Sequence, residues 1–370
     1  MELLYINYPS WIHPEILPGI PFLGLLRWYG LMYVFAFGFA YVALKKQFAE
    51  GALESPGKKT SEDDLASFIA TGIIFLLLGA RIFSTLVYDT SGKYFEKPWL
   101  IFWPFDESGR WTGLQGMSYH GGAIGGTLGM WVWCKIHKRP YLQWTDAMCT
   151  AIPLGYTFGR IGNFLNGELY GRITKMPWGM TFPDAERFSP SIEWVQKFAA
   201  DIGMKIEQNA LVNLPRHPSQ LYESFFEGIV LFAILWLLHK KKPFDGFLSG
   251  LYLALYGAFR FVLEYFRMPD SDLGFRISSD PAASISQNTS LLNISTGQIL
   301  CALMILAGTG IIVGAGIWAK RKTSASLKTT AALEIFAFSR TLPSSSLYGI
   351  SPDVKRSPFA AFSSCFFIGP

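Results

Sequence analysis

Seven long apolar segments decide what this chain can fold into. They lie at about 21–44, 65–88, 117–136, 144–163, 220–238, 246–266 and 297–319, each near the ~20 residues that an α-helix needs to cross a bilayer. Only 16% of the residues are charged, against roughly 25% in an average soluble domain. Since helices and closed barrels are what satisfies the backbone in lipid, the segments predict an all-α polytopic membrane protein with about seven transmembrane helices.

Basic residues between the segments predict the orientation. Clusters of Lys and Arg follow the first, third, fifth and seventh segments, near residues 45–59, 135–139, 240–242 and 320–322. Short loops rich in Lys and Arg stay in the cytoplasm. We therefore expect an N-terminus outside, a cytoplasmic C-terminus and a small extracytoplasmic cap formed by about 164–219. Residues 1–322 would form the transmembrane domain, and 323–370 a Ser-rich, disordered or atypical cytoplasmic tail.

Polar residues within the segments gather toward the predicted outer face. They are Tyr29, Arg81, His120, Arg160, Asn163, Glu168, His217, Gln220, Tyr222, Glu223, Tyr256, Arg260, Glu264 and Arg267. An arginine at membrane depth costs ~2.5–3.5 kcal/mol, so it normally faces a cavity or a partner. For Arg267 we favour snorkelling to the headgroups. The pair Arg260 and Glu264 is equally compatible with a structural ion pair at i,i+4 and with a functional role.

Glycines have two expected uses. In YHGGAIGGTLGM, residues 121, 125 and 129 form one row of small residues and 122 and 126 a second, which predicts close helix packing. In GRIGNFLNGELYGR (159–172), glycines would let the helix end unwind. Backbone amides beside Arg160 and Arg172 would then be exposed, as a site for an anion such as a phospholipid headgroup.

The stretch GRIGNFLNGELYGR resembles the signature of prolipoprotein diacylglyceryl transferases, whose usual form has Ile for Leu165 and Trp for Tyr170. Four more stretches agree in the same order: RWYGLMY (27–33), SYHGGAIG (118–125), RHPSQLYE (216–223) and YGAFRFVLEYFRMPD (256–270). The resemblance spans about residues 1–320. Residues 323–370 match nothing in the family, and are a disordered extension or the product of a reading-frame change.

The resemblance implies a reaction in the bacterial cytoplasmic (inner) membrane, with the active site on its outer side. The family moves the diacylglyceryl group of phosphatidylglycerol to the thiol of the lipobox cysteine of a prolipoprotein. A thioether forms and glycerol 1-phosphate leaves. This is the first step of bacterial lipoprotein maturation, and no nucleic acid, cofactor or metal is implied.

The same resemblance suggests roles for individual side chains. His120 is the first candidate for the base that activates the thiol, although it also fits a hydrogen-bonded interfacial histidine. Arg160 and Arg260 are assigned to the donor phosphate, because arginine grips phosphate through two hydrogen bonds. Asn163 and Glu168 are expected to orient the arginines. The remaining substrate-binding candidates are Tyr29, Gly171, Tyr256 and Glu264, and both tyrosines also fit an aromatic belt at the membrane interface.

Three other functions are compatible with parts of the pattern. A transporter for an anionic solute would predict inverted repeats and midplane polar groups, and neither is visible in the sequence. An intramembrane serine protease would need a G-x-S-G nucleophile, which the chain lacks. A binding scaffold for an anionic lipid stays open, because sequence does not separate binding from catalysis.

Overall fold

The computed structural model describes residues 5–17, 27–55, 57–89, 91–105, 108–110, 116–207, 209–268, 275–278, 286 and 290–341, with side chains as far as residue 330. Its helices are α1, Trp28–Ala49; α2, Glu62–Phe83; α3, Lys93–Glu96; α4, Tyr119–Ile136; α5, Tyr141–Leu165; α6, Glu193–Asp201; α7, Ser219–Glu223; α8, Leu231–Leu238; α9, Phe247–Leu263; and α10, Thr296–Thr341. Its strands are β1, Ile6–Asn7; β2, Met180–Thr181; β3, Phe275–Ile277; and β4, Ile294–Ser295.

The long helices coincide with the predicted apolar segments. In the described part of the chain, four spans are long and apolar enough to cross a membrane: Trp28–Ala49, Glu62–Tyr88, Ser219–Lys241 and Thr296–Thr330. Phe247–Leu263 is a shorter apolar helix. The prediction of a helical membrane protein is confirmed, while seven crossings and their orientation stay predictions. Residues 21–26 of the first segment lie outside the described residues.

Two membrane helices contain π-helical turns that the sequence did not indicate. Ser84–Tyr88 extends α2, and Ser224–Val230 joins α7 to α8 into one continuous helix. A π turn is rare and is found mostly at functional sites, because it loosens the regular backbone ladder. The second turn carries Glu227, which has no exposed surface.

Helices α2 and α4 pack through glycines, as the sequence predicted. Gly79 faces Gly121 and Gly125, and a Cβ atom built on Gly125 would lie 3.0 Å from the Gly79 Cα. The second row, at Gly122 and Gly126, lies on Leu76. The backbones thus approach as closely as small residues allow.

A buried aspartate fixes where α9 begins. Asp146 of α5 accepts hydrogen bonds from the Gly246 amide at 2.9 Å and the Ser249 amide at 2.8 Å, and pairs with Lys242 at 3.1 Å. A side-chain acceptor at a helix N-terminus satisfies amides that have no partner within the helix. Asp146 therefore joins the end of α5 near Tyr141 to the start of α9.

Residues 164–219, which we call the cap, have an apolar cluster of their own. Its buried members are Ile173, Phe188, Val195, Phe198, Ile202, Val212 and Leu214. Helix α6 contributes two of them, Val195 and Phe198, and the backbones of Phe188 and Val212 exchange two hydrogen bonds. Strand β2 of the cap pairs in parallel with β1, so the segment near the N-terminus is bound to the cap.

The last helix continues past the predicted membrane segment. Helix α10 runs to Thr341, and the chain divides into two compact units, Met1–Gly316 and Ile317–Pro370. Residues 342–370 lie outside the described residues. The predicted division at residue 322 stays a prediction.

Candidate active site

One buried carboxylate gathers arginines from separate helices. Glu223, at the end of α7, is 1% exposed. Its Oε2 lies 2.8 Å from Nε of Arg160 on α5, and its Oε1 lies 3.0 Å from Nη1 of Arg260 on α9. The two arginines that the sequence assigned to the donor phosphate are therefore neighbours, held by a residue to which it gave no role.

Two further carboxylates contact Arg260. Its Nη2 lies 3.1 Å from Glu264 Oε2, one helical turn further along α9. Its Nη1 is 3.8 Å from Glu227 Oε1, in the π turn after α7. Buried charges persist when they are paired in this way, because each partner offsets the lost hydration of the other.

Tyr156 connects Arg160 to Glu227. Its hydroxyl accepts a hydrogen bond from Arg160 Nε at 2.7 Å and donates one to Glu227 Oε2 at 2.5 Å. Tyr156 lies four residues before Arg160 on α5, so both side chains are on one helical face. Neither Tyr156 nor Glu227 was singled out from the sequence. Two signals were available in the sequence. One was a carboxylate inside an apolar segment, and the other was the i,i+4 spacing of Tyr156 with Arg160 and of Glu223 with Glu227.

Arg267 also belongs to this group, and the snorkelling interpretation is wrong. Its Nη1 lies 3.5 Å from Glu223 Oε1, and its side chain is 17% exposed. The residue follows α9 closely enough for its guanidinium to turn back toward the carboxylate. Arg160, Arg260, Arg267, Glu223, Glu227 and Glu264 form what we call the arginine cluster.

A chain of hydrogen bonds leads from the cluster through the signature stretch. Arg160 Nη1 donates to Asn163 Oδ1 at 3.3 Å, and Asn163 Nδ2 donates to Glu168 Oε1 at 2.9 Å. Asn166 Nδ2 reaches the same oxygen at 3.2 Å. Asn163 and Glu168 thus form a chain of hydrogen bonds to Arg160, whereas Arg260 contacts the three glutamates.

The expectation of exposed amides in this stretch is wrong for four of its residues. Helix α5 continues through Gly159 and Gly162 to Leu165, and the chain turns at Gly167, where φ is +69°. The amides of Gly167, Glu168, Gly171 and Arg172 all donate to backbone carbonyls. Arg172 is itself buried, and its Nε donates to the Arg267 carbonyl at 2.8 Å.

Gly171 lies where three segments meet. Its amide donates to the His217 carbonyl at 2.8 Å, and a Cβ atom here would collide with the Phe266 carbonyl oxygen and lie 2.9 Å from the His217 Cβ. Only glycine permits this approach. Burial, and then the charge of Arg172, lowers the pKa of the His217 imidazole to about 4.

The two predicted tyrosines lie close to the cluster without binding its arginines directly. Tyr29 of α1 packs against Gly162, where an added Cβ would lie 2.9 Å from the Tyr29 ring, and its hydroxyl is 3.3 Å from that of Tyr33. Tyr256 is buried one turn before Arg260, and its ring meets that of Tyr156 edge-on at 5.7 Å.

His120 stands apart from the arginine cluster. It is exposed in the first turn of α4, and its Nδ1 lies 2.8 Å from the Tyr88 hydroxyl. Among the described residues, no hydrogen bond joins it to the three arginines. In the same part of the chain, no three His, Cys, Asp or Glu side chains are grouped as a metal site requires.

Most of the chain matches known proteins of one family. Residues 20–314 match the family model for prolipoprotein diacylglyceryl transferase. A phosphatidylglycerol–prolipoprotein diacylglyceryl transferase of Treponema pallidum is 52% identical over 316 residues, covering 83% of this chain and 94% of the relative. Its counterpart in Treponema denticola is 55% identical, over 82% and 93%, and that of Borreliella burgdorferi is 43% identical, over 82% and 92%. The chain belongs to the prolipoprotein diacylglyceryl transferase family.

Proposed function

We propose that this protein transfers the diacylglyceryl group of phosphatidylglycerol to the lipobox cysteine of prolipoproteins, the first step of lipoprotein maturation. The observation that carries the proposal is the arginine cluster. The cluster lies among membrane helices and is joined by hydrogen bonds to the signature stretch. The relatives of the chain are named for this reaction. The thiol sulfur attacks the glyceryl carbon that bears the phosphate, the C–O bond breaks, and its electron pair leaves with glycerol 1-phosphate.

The arginines suit the charge that develops on that leaving group. Arg160 is held at Nε by Tyr156 and Glu223 and at Nη1 by Asn163, which fixes the plane of its guanidinium. In the described part of the chain, Nη1 of Arg260 and of Arg267 contact carboxylate oxygens without an aligned hydrogen bond. Donors fixed before the reaction stabilise charge without reorganising during it, which is the usual source of large rate enhancements.

His120 is the proposed base for the thiol. In the tautomer whose Nδ1–H donates to the Tyr88 oxygen, Nε2 is the nitrogen that accepts a proton. A free thiol has a pKa of ~8.5, so little thiolate exists at neutral pH without a base. The variant His120→Gln should transfer more slowly at pH 7 and recover in part toward pH 9, where the thiol ionises unaided. An undiminished initial rate at pH 7 would exclude histidine as the base.

The orientation is proposed with N-terminus outside, seven crossings, the cap 164–219 extracytoplasmic and a cytoplasmic tail. Basic clusters after α1, α4 and α8 meet at one end of the molecule. Lys240 and His239 contact Glu50, and Arg139 contacts the Lys58 carbonyl. A cysteine introduced within 173–215 should react with an impermeant reagent from outside, and one within 240–244 should not. The reverse pattern would overturn the placement of the site.

The decisive experiment is reconstitution. Purified protein in phosphatidylglycerol vesicles should alkylate the thiol of a lipobox peptide and release an equal amount of glycerol 1-phosphate. A binding scaffold would hold the lipid and release none. A transporter would move a solute without modifying the peptide.

Matched lysine variants test the role of the arginines. Lysine keeps the charge but loses the planar fork, so Arg160→Lys and Arg260→Lys should slow transfer by about 10²–10³. Arg139→Lys is the control, because Arg139 is also buried and paired, with Asp64 at 2.7 Å, but lies outside the cluster. Equal losses in all three variants would show a general need for buried arginines and refute the phosphate role.

A further inference from the structure

A groove of about 430 Å³ lies between the N-terminal segment and the cap. Residues 7–14 form one wall, the cap contributes Thr181, Pro183, Asp184 and Asn213, and Leu165 and Asn166 at the end of α5 form the floor. Sites for small ligands typically enclose ~300–1,000 Å³, so the groove is large enough for a short stretch of peptide. The arginine cluster does not use it.

Its walls are held together by hydrogen bonds. The Ile6 amide donates to the Gly179 carbonyl at 2.7 Å, and the Tyr8 amide donates to the Thr181 carbonyl at 3.1 Å. The Tyr8 hydroxyl donates to the Phe164 carbonyl at 2.8 Å, at the end of α5. A groove formed in advance costs its ligand little ordering of the protein.

The lining favours a neutral ligand that donates hydrogen bonds. Oδ1 of Asn166 and Oδ1 of Asn213, both on residues that line the groove, are buried and have no donor in the described part of the chain, so a ligand N–H reaches either oxygen only after its side chain rotates. Their amide nitrogens donate to Glu168 Oε1 and the Phe182 carbonyl, which identifies the oxygen in each side chain. The described lining also has a carboxylate, Asp184, and a histidine, His13, and neither Lys nor Arg. An anionic headgroup would meet no permanent positive charge here, whereas an extended peptide presents an N–H at nearly every residue.

The groove lies within reach of the arginine cluster. Asn166 follows Arg160 by six residues, or roughly 9 Å along a helix at 1.5 Å per residue. Three extended residues span roughly 10 Å. The two sites are also joined by hydrogen bonds, since Asn166 and Asn163 donate to the same Glu168 oxygen and Asn163 holds Arg160.

We infer that this groove binds the segment of the prolipoprotein that follows the lipobox cysteine, as an extended chain. The inference rests on the proposed function, because it assumes a cysteine at the arginine cluster and the cap on the outer side. The groove then aligns the thiol by holding residues about three positions beyond it. A peptide bound in the groove then influences Arg160 through the hydrogen bonds of Asn166, Glu168 and Asn163.

The test compares lipobox peptides with one and with eight residues after the cysteine. The longer peptide should have the lower KM in the unmodified enzyme. Asn213→Leu should raise the KM of the long peptide roughly 2- to 10-fold, the worth of one or two hydrogen bonds. The KM of the short peptide and that of phosphatidylglycerol should not change. Gln196→Leu is the matched control, since Gln196 is a cap amide that donates to a backbone carbonyl outside the groove.

A second measurement uses the unmodified enzyme, so that it does not depend on how the variant folds. A photoreactive phenylalanine at the third position after the cysteine should crosslink to residues 7–14, 181–184 or 213. Crosslinks elsewhere, with a KM independent of peptide length, would overturn the inference and leave the transferase reaction intact. A rise in the KM of phosphatidylglycerol in Asn213→Leu would assign the groove to lipid and likewise overturn it. No transfer to either peptide would refute the proposed function itself.

Discussion

Replacing Glu223 with glutamine should damage stability and catalysis together. The change keeps the shape of the side chain but removes the charge that faces Arg160 at 2.8 Å, Arg260 at 3.0 Å and Arg267 at 3.5 Å. Arg260 keeps Glu264, and Arg160 keeps Tyr156. Among the described residues, Arg267 keeps no carboxylate partner.

The expected loss of stability depends on how many partners each arginine keeps. Removing one partner of a buried ion pair costs about 3–5 kcal/mol. Because two of the three arginines retain other partners, we expect the lower end, about 3 kcal/mol. At ~2–4 °C per kcal/mol the melting temperature of Glu223→Gln should fall by roughly 6–12 °C. The transfer rate should fall by about 10², since the guanidiniums lose the anchor that sets their separation.

Thermal unfolding in detergent and transfer in vesicles measure the two effects. Removing the stranded charge with the double variant Glu223→Gln, Arg267→Met should restore much of the melting temperature but not the rate. Asp64→Asn is the control, because Asp64 pairs with Arg139 outside the cluster. It should lower stability and leave the rate per folded molecule unchanged. A Glu223→Gln protein that melts within about 2 °C of the unmodified one and transfers at its rate would refute the reasoning.

Three further outcomes are expected. Gly125→Ala should destabilise by about 1–3 kcal/mol through a clash with α2, whereas Gly30→Ala, with open space around it, should be neutral or slightly stabilising in the same melting assay. The pKa of His217 is lowered to about 4 by burial and Arg172, so the unfolded chain binds more protons below pH 6.5. The free energy of unfolding should therefore be highest above pH 6.5 and fall toward pH 4. An equal fall with pH in His217→Gln would contradict this. Truncation after Lys322 should preserve transfer, and lost activity at normal protein levels would assign the tail a function.

Sequence predicted local features well and partners across the fold poorly. The apolar segments, the glycine rows and the link from Arg160 to Asn163 depend on neighbours within a few residues, where helical periodicity decides which side chains meet. The role of Glu223 depends on α5 and α9, which are distant in sequence, so no spacing in the chain indicated it. Arg267 was misjudged for the same reason. Its depth suggested headgroups, and only the fold shows that it turns toward a carboxylate.

The sequence did not indicate the π turn before α8, and the reason is different. The residues of 224–230 fit an ordinary apolar α-helix equally well, because a π turn changes the backbone ladder and not the composition. The amides of 167–172 also illustrate a limit. Glycines indicated that the chain would turn, but which carbonyls would bind the freed N–H groups depended on segments near 217 and 266.

The glycine contact between α2 and α4 restricts how these two helices can move relative to each other. Side chains between helices act as a compliant layer, because their rotamers absorb small displacements. Where Gly79 meets Gly121 and Gly125, no such layer exists, and any sliding drives one backbone into the other. Helices α2 and α4 must therefore move together as one rigid unit. Helices α1 and α5 are separated by side chains where Phe39 stacks on Phe158 at 5.1 Å, so small displacements are absorbed at that contact.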